Sequence, residues 1–131
     1  MRTRWSAFVA VAALATAMAG CGEQAHRLQG AFILNDTGVD HSESSCSGTG
    51  EYADIEAGLG VIVRDEAGKT VGSTELVYDS QSSAGQCVYR WEMTVADAKS
   101  YSIEVGQRGA GTYSAADLNR RYWQVATTVG D

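Results

Sequence analysis

The sequence contains no proline, three cysteines and two histidines among its 131 residues. The absence of proline excludes proline-rich linkers and polyproline recognition segments. Ten lysines and arginines face sixteen aspartates and glutamates, a net charge of −6, which argues against a nucleic-acid partner bound through its phosphates. The chain is also too short for a doubly wound nucleotide-binding enzyme or an eightfold βα barrel. One small domain is therefore predicted.

Residues 1–20 have the order of parts that is typical of a secretory signal peptide. Arg2 and Arg4 form a short basic start, no acid precedes Glu23, and residues 8–19 are apolar and rich in alanine. That stretch is too short to span the ~30 Å of a bilayer's hydrocarbon comfortably as a helix. A cleaved leader is predicted, with a short anchor or a buried helix as the alternative.

The leader ends in Met18-Ala19-Gly20-Cys21, which resembles a bacterial lipobox. Two small residues precede the cysteine, while Met18 stands where leucine is more usual. The resemblance implies that Cys21 receives a diacylglycerol thioether with palmitate-type chains and becomes the mature N-terminus. Each buried CH₂ contributes about 0.8 kcal/mol, so two or three long chains anchor a protein firmly. The expected location is the extracytoplasmic face of the cell membrane, and an ordinary thiol at Cys21 is the alternative.

If Cys21 is lipidated, Cys46 and Cys87 are left as an even pair. An exported chain meets an oxidising compartment, in which such a pair normally forms a disulfide. A metal or redox site with two cysteines is the alternative. It is disfavoured because the thiols lack CxxC spacing and the histidines are not placed around them.

Cleavage after residue 20 would leave 111 residues with a net charge of −8, because Arg2 and Arg4 are lost and no acid is lost. The remaining content of Val, Ile, Leu and Phe is low for a folded chain of that charge. The surviving aromatic residues and the disulfide favour a folded domain nevertheless. Residues 21–27 are predicted to be the lipidated cysteine and a short polar tether, and residues 28–131 the domain.

Alternating apolar residues predict that the domain is all-β. The clearest pattern covers residues 87–95, in which every second side chain, from Cys87 to Val95, is apolar and would face the core. The segment between residues 36 and 51 is polar and shows no periodicity, so a loop is predicted there. Further strands are predicted at residues 28–35, 59–65, 70–78, 101–105 and 122–129.

One short helix is predicted near residues 114–121, with Ser114 as its N-cap and Asp117 three residues later. Six or seven strands in a domain of this size favour a small antiparallel β-sandwich of immunoglobulin-like or transthyretin-like layout. A small open barrel is the alternative.

Several segments of the domain resemble a group of small secreted or lipid-anchored actinobacterial proteins. They are residues 46–55 (CSGTGEYADI), the hairpin that follows, residues 85–89 (GQCVY) and residues 113–118 (YSAADL). The likeness spans roughly residues 28–129. Eight arginines against two lysines fit a GC-rich genome of that kind. The resemblance implies an exported domain of this architecture and gives no information about catalysis.

No catalytic residue, cofactor or enzymatic activity is predicted. His41 lies among serines but lacks the strand–turn–helix context of a nucleophile. Asp36, Asp40 and Asp54 lie on either side of Cys46 and are the candidates for a calcium site, because Ca²⁺ takes six to eight oxygen ligands. The spacing is not that of an EF-hand loop. A solvated acidic loop is the alternative.

The expected function is that of a lipid-anchored binding or interaction module. Its partners would be the membrane and an envelope protein or glycan, contacted through loops at one end of the sandwich. The alternative is an extracytoplasmic calcium-binding domain or enzyme that uses the acidic loop over residues 36–56. Tyr122 or Trp123 is expected to be exposed, since neighbouring strand positions face opposite ways.

Overall fold

A computed structural model describes residues 24–130 of the chain. These residues form ten strands, one short α-helix, α1 (Ala115–Arg120), and one turn of 3₁₀ helix over Gly50–Tyr52. The strands are β1 (Ala25–Asn35), β2 (Asp40–His41), β3 (Cys46–Ser47), β4 (Gly60–Arg64), β5 (Thr70–Glu75), β6 (Val77–Tyr78), β7 (Gln86–Ala96), β8 (Ser100–Val105), β9 (Arg108–Ser114) and β10 (Gln124–Gly130).

Two four-stranded sheets make up the predicted sandwich. The first sheet has the strand order β10-β1-β7-β6, the second sheet has the order β5-β4-β8-β9, and β2 and β3 form a separate small hairpin. Apolar side chains of both sheets fill the space between them, among them Phe32, Tyr89, Tyr101 and Val63. The small all-β sandwich expected from the alternation is confirmed.

One pair of strands departs from the antiparallel pattern, because β10 runs parallel to β1. After β9 in the second sheet, α1 carries the chain to the first sheet and brings it to the end of the sandwich at which β1 also begins. Two strands that start at the same end can pair only in parallel. No local pattern in either strand carries that information.

Strand β7 confirms the predicted alternation. Cys87, Tyr89, Trp91, Met93 and Val95 are all buried in the core. The hairpin of β4 and β5 is also confirmed, and Gly68 takes a φ of +79° in its turn. A glycine adopts that conformation without the steric penalty that a side chain brings.

Helix α1 begins as the sequence predicts. The Ser114 hydroxyl accepts a hydrogen bond of 3.0 Å from the backbone N–H of Asp117, which satisfies one donor of the first turn. Leu118 points into the core and is fully buried. The helix therefore closes one end of the sandwich.

Further features of the fold differ from the sequence-based expectation. Strand β1 begins at Ala25 rather than Leu28, so residues 25–27 belong to the sheet and not to a tether. The predicted loop over residues 36–51 contains the β2–β3 hairpin. Strand β9 was not predicted, because Gly109 and Gly111 interrupt its alternation.

The chain changes sheets between β5 and β6 at Leu76. The backbone N–H of Leu76 donates to the carbonyl of Leu59 at 2.9 Å, and its carbonyl accepts from Gly58 at 2.8 Å. Its side chain is buried. Leu76 is therefore a fixed position in the core, with β5 before it in the second sheet and β6 after it in the first sheet.

The Cys46–Cys87 disulfide is formed and lies in the core. It joins β3 to the start of β7, with the two Cα atoms 5.5 Å apart. The Tyr89 hydroxyl donates a hydrogen bond of 2.5 Å to the Cys46 carbonyl. Burial, followed by the charge of Glu56, raises the pKa of Tyr89 to about 12. The β2–β3 hairpin is thus fastened to the first sheet by one covalent bond and one buried hydrogen bond.

Candidate binding surfaces

The acidic residues between 36 and 56 lie at one end of the sandwich, which we call the distal end. It consists of residues 36–58, 79–85 and 106–108, where β1 ends and β7 begins. The opposite end consists of residues 65–69, 97–99 and 115–123, and we call it the proximal end.

The three calcium candidates are not brought together into one site. Asp36 accepts a weak hydrogen bond of 3.3 Å from the Gly38 N–H. Asp40 is exposed in β2 and pairs with Ser47 across the small hairpin. Within residues 24–130, no three side chains of His, Cys, Asp or Glu are grouped so that they could hold a metal ion.

Asp54 forms an ion pair with Arg108. Arg108 donates to the two carboxylate oxygens at 2.9 and 3.3 Å and to the Glu51 carbonyl at 3.0 Å. The hydrogen bond from Arg108 lowers the pKa of Asp54. The guanidinium also lies 5.4 Å from the centre of the Tyr52 ring. Arg108 therefore fastens the 3₁₀ turn to β9, and the sequence pattern did not reveal this residue.

A groove of about 690 Å³ lies on the outer face of the first sheet and reaches β5. Two rows of side chains in register across the strands form it. One row holds Gln124, Gln29 and Glu92 from β10, β1 and β7. The adjacent row has Ala31 next to Arg90. Residues that face each other across neighbouring strands project to the same side of the sheet. The short side chain of Ala31 therefore lies among longer polar side chains, and this difference in length creates the depression.

The far side of the groove is bordered by Val77, whose side chain is 62% exposed. It pairs with Arg90 across β6 and β7. The groove thus combines amide donors and acceptors, a carboxylate, a guanidinium and one exposed apolar group. Donors and acceptors that share one depression can form hydrogen bonds to a polar ligand.

Arg90 is held in the groove by Asp79. The Nε of Arg90 donates to one oxygen of Asp79, whose side chain is only 3% exposed, and the Gln81 N–H donates to the other oxygen at 2.9 Å. The hydrogen bond from Arg90, followed by the one from Gln81, lowers the pKa of Asp79. Because this bond uses Nε, the terminal nitrogens of Arg90 keep N–H donors for a ligand.

Asp79→Asn is expected to remove a stabilising contribution that depends on pH. The pKa of Asp79 is lower in the folded protein than in the unfolded chain, so its ionised carboxylate stabilises the fold at pH values above the unfolded-state pKa. This stabilisation is lost as the pH falls through the folded-state pKa. We expect a loss of about 1.5 kcal/mol at pH 7 and a flatter stability curve below about pH 4. Urea unfolding at pH 2–7 measures both effects.

The matched control for this prediction is Asp117→Asn, since Asp117 also pairs with an arginine, Arg120, but on the surface. Exposed pairs contribute little, so this variant should follow the parent protein. If Asp79→Asn and Asp117→Asn lowered the free energy of unfolding equally, the prediction that the buried Asp79 contributes more than an exposed carboxylate would be wrong.

Aromatic side chains meet at the proximal end. The indole of Trp123 stacks on His26, with ring centres 3.9 Å apart and planes 5° from parallel. Tyr101 contacts the same indole edge-on at 5.6 Å, and Asp97 binds the Nε2 of His26 at 3.0 Å. These contacts therefore hold the start of β1 against the segment that precedes β10.

Tyr122 projects from this cluster into solvent and is 85% exposed, but it lies in the turn before β10 and not in the strand predicted from residue 122. Tyr122 and Trp123 both take left-handed φ values, 55° and 59°. The Trp123 N–H donates to the Leu118 carbonyl at 2.8 Å, and the Trp123 carbonyl accepts from Gln29 at 3.0 Å. Trp123 is thus held inward, and the backbone that holds it forces Tyr122 outward.

Tyr122→Gly is expected to raise the stability of the domain slightly. A non-glycine residue in the left-handed region costs roughly 1–2 kcal/mol, and an exposed tyrosine loses little packing when removed. The greater freedom of glycine in the unfolded chain offsets part of the gain, so we expect a net gain of about 0.5 kcal/mol. Thermal unfolding measures this, and Tyr122→Val should instead lower the melting temperature.

No family model, curated protein or solved structure matches this chain. Its function is therefore inferred from its own residues.

Two predicted features lie outside the described residues, namely the signal peptide of residues 1–20 and the lipidated Cys21. Among residues 24–130, no helix has the length and apolar character needed to cross a membrane. The resemblance to small actinobacterial proteins and the expected cellular location remain predictions.

Proposed function

We propose that this protein is an extracytoplasmic lipoprotein, anchored in the cell membrane through Cys21, whose sandwich domain binds an envelope component. The buried Cys46–Cys87 bond supports export, because disulfides persist in oxidising compartments and are rare in the cytosol. The leader and the lipobox-like Met18-Ala19-Gly20-Cys21 support the anchor.

The observation that carries the binding role is the groove on the first sheet. It offers the amides of Gln29 and Gln124 beside Arg90, within one depression. Closely spaced donors and acceptors on rigid strands suit a partner that presents many polar groups, such as a glycan or an extended segment of an envelope protein. We therefore place the partner on the sheet face, rather than on the loops favoured by sequence alone.

The anchor is tested by separating membranes from soluble material in cells that express the full chain. We expect the parent protein in the membrane fraction and Cys21→Ser in the soluble fraction. A second variant, Cys46→Ser with Cys87→Ser, controls for general loss of export or folding, and any folded material should remain in the membrane fraction. Membrane retention of Cys21→Ser would refute the anchor.

The groove is tested with a photo-crosslinking amino acid at Gln124, which is exposed at its edge. The same amino acid at Thr112, exposed in β9 of the second sheet, is the control. We expect crosslinks to envelope material from position 124 alone. Arg90→Gln should reduce their yield, whereas Arg64→Gln on the second sheet should not. Equal yields from positions 124 and 112 would refute the groove as the binding surface.

A further inference from the structure

The proximal end of the sandwich is the end at which the chain arrives from Cys21. Strand β1 begins at Ala25, and its second residue, His26, stacks on Trp123 of the proximal end. Position 25 lies four residue steps after position 21, and four steps span at most about 14 Å. A lipid on Cys21 would therefore hold the proximal end within that distance of the bilayer.

Charge is distributed unequally between the two ends. The distal segments contain seven acids, which are Asp36, Asp40, Glu43, Glu51, Asp54, Glu56 and Asp79, and only one base, Arg108. The proximal segments contain four acids, which are Asp65, Glu66, Asp97 and Asp117, and four bases, which are Lys69, Lys99, Arg120 and Arg121. The domain is acidic as a whole, but its proximal end carries no net charge.

The proximal acids are also engaged by groups of the protein. Asp65 accepts from the N–H groups of Ala67 and Lys69, each at 2.9 Å. Glu66 accepts from the N–H of Lys99 at 3.2 Å. In the part of the chain that the structure describes, neither Lys69 nor Lys99 forms an ion pair through its ammonium group. The lysine charges are thus available to an anionic surface.

Tyr122 is the exposed aromatic residue of this end, and it follows Arg120 and Arg121 directly. The fold does not require a tyrosine there, because the ring is solvated and its backbone conformation suits glycine better. A tyrosine next to arginines is well suited to the boundary between lipid headgroups and acyl chains, where amphipathic rings are enriched.

We propose that the proximal end rests on the bilayer surface, with Tyr122 in the headgroup region and Lys69, Lys99, Arg120 and Arg121 facing anionic lipid. This assignment rests on the proposed lipid anchor, and it adds an orientation to it. The acidic distal end then points away from the membrane, since an anionic surface repels it. The groove runs along the side of the domain and stays open to an envelope partner.

The test uses the full-length lipidated protein in vesicles of phosphatidylglycerol and phosphatidylcholine, with and without brominated acyl chains that quench nearby tryptophan. Tyr122→Trp places a tryptophan at the proposed contact. Val77→Trp places one at an exposed apolar position on β6 and is the matched control. The emission that each variant adds to that of the parent protein is measured, together with flotation of the protein with the vesicles.

We expect brominated lipid to quench roughly half of the emission added at position 122 and almost none of that added at position 77. In vesicles of phosphatidylcholine alone, the quenching at position 122 should be about twofold weaker. Arg120→Gln combined with Arg121→Gln should weaken it similarly in anionic vesicles, while Arg64→Gln should not.

Flotation separates failure of the orientation from failure of the anchor. Protein that floats with the vesicles but shows equal quenching at positions 122 and 77, or none, would overturn the orientation and leave the anchor intact. Protein that does not float would overturn the anchor and the membrane contact with it. The emission of Tyr122→Trp could instead change with protein concentration and not be quenched by brominated lipid. That result would show that a second copy of the protein covers position 122, and it would also overturn the proposal.

Discussion

Replacing Cys46 and Cys87 together with alanine is expected to lower the free energy of unfolding by roughly 4 kcal/mol. The bond closes a loop between residues 41 positions apart, and without it the unfolded chain gains that conformational freedom. Both side chains are buried, so their removal also leaves a small unfilled volume. Because small domains are stable by only about 5–15 kcal/mol, this single bond would account for a large part of the total.

Chemical denaturation with and without reductant measures this effect. Reduction of the parent protein and the double replacement should lower the denaturation midpoint similarly, and reductant should not affect the double variant. Cys21→Ala is the control, since Cys21 does not take part in the bond. A parent protein whose midpoint is unchanged after complete reduction would contradict the prediction.

Gly30→Ala is expected to destabilise the domain by about 2–3 kcal/mol, near the upper end of the usual penalty for overpacking. A Cβ atom at this position would lie 2.1–2.3 Å from three atoms of the Trp91 indole. Gly30 and Trp91 face each other across β1 and β7, and the indole is almost fully buried. The ring must therefore move, and its neighbours in the core must move with it.

The matched control is Gly109→Ala, because Gly109 also lies in a strand but has no heavy atom within 4 Å of the place that an added methyl group would occupy. That variant should be as stable as the parent protein or slightly more so. Urea unfolding gives both free energies, and the emission of Trp91 should shift to longer wavelength in Gly30→Ala alone.

A double variant identifies the cause of the loss. If the clash with the indole is responsible, Gly30→Ala should cost much less in a Trp91→Leu background than in the parent protein. Equal costs in the two backgrounds would show that the strand itself, rather than the indole, disfavours alanine. Since Gly30 and Trp91 both border the groove, the first outcome would also predict weaker crosslinking from Gln124 in Gly30→Ala.

Local patterns were sufficient for the elements whose signal lies within a few residues. The alternation from Cys87 to Val95 identified β7 and its buried face, because a strand turns successive side chains to opposite sides. Ser114 and Asp117 identified the start of α1, because a helix cap is formed by residues three positions apart. By contrast, local pattern does not predict β9, since Gly109 and Gly111 contribute no side chain to an alternating pattern.

The candidate surfaces depend on contacts between residues that are distant in sequence. The sequence makes Asp54 a calcium candidate, but its partner in the structure, Arg108, lies 54 positions later. The groove combines residues of five strands, and no single segment carries a recognisable motif for it. Strand alternation predicts that Tyr122 or Trp123 is exposed, but both residues lie in a turn with left-handed φ values. Trp123 faces inward because it stacks on His26.

The spacing of apolar and capping residues along the chain was enough to predict an all-β domain with a capped helix, and to predict which face of β7 is buried. The parallel pairing of β10 with β1, the groove shared by Arg90 and the glutamines, and the gathering of the acids at one end depend on how the two sheets pack. Those arrangements arise when the sheets pack and bring distant segments together, and the order of residues within each segment does not encode which partner it will meet.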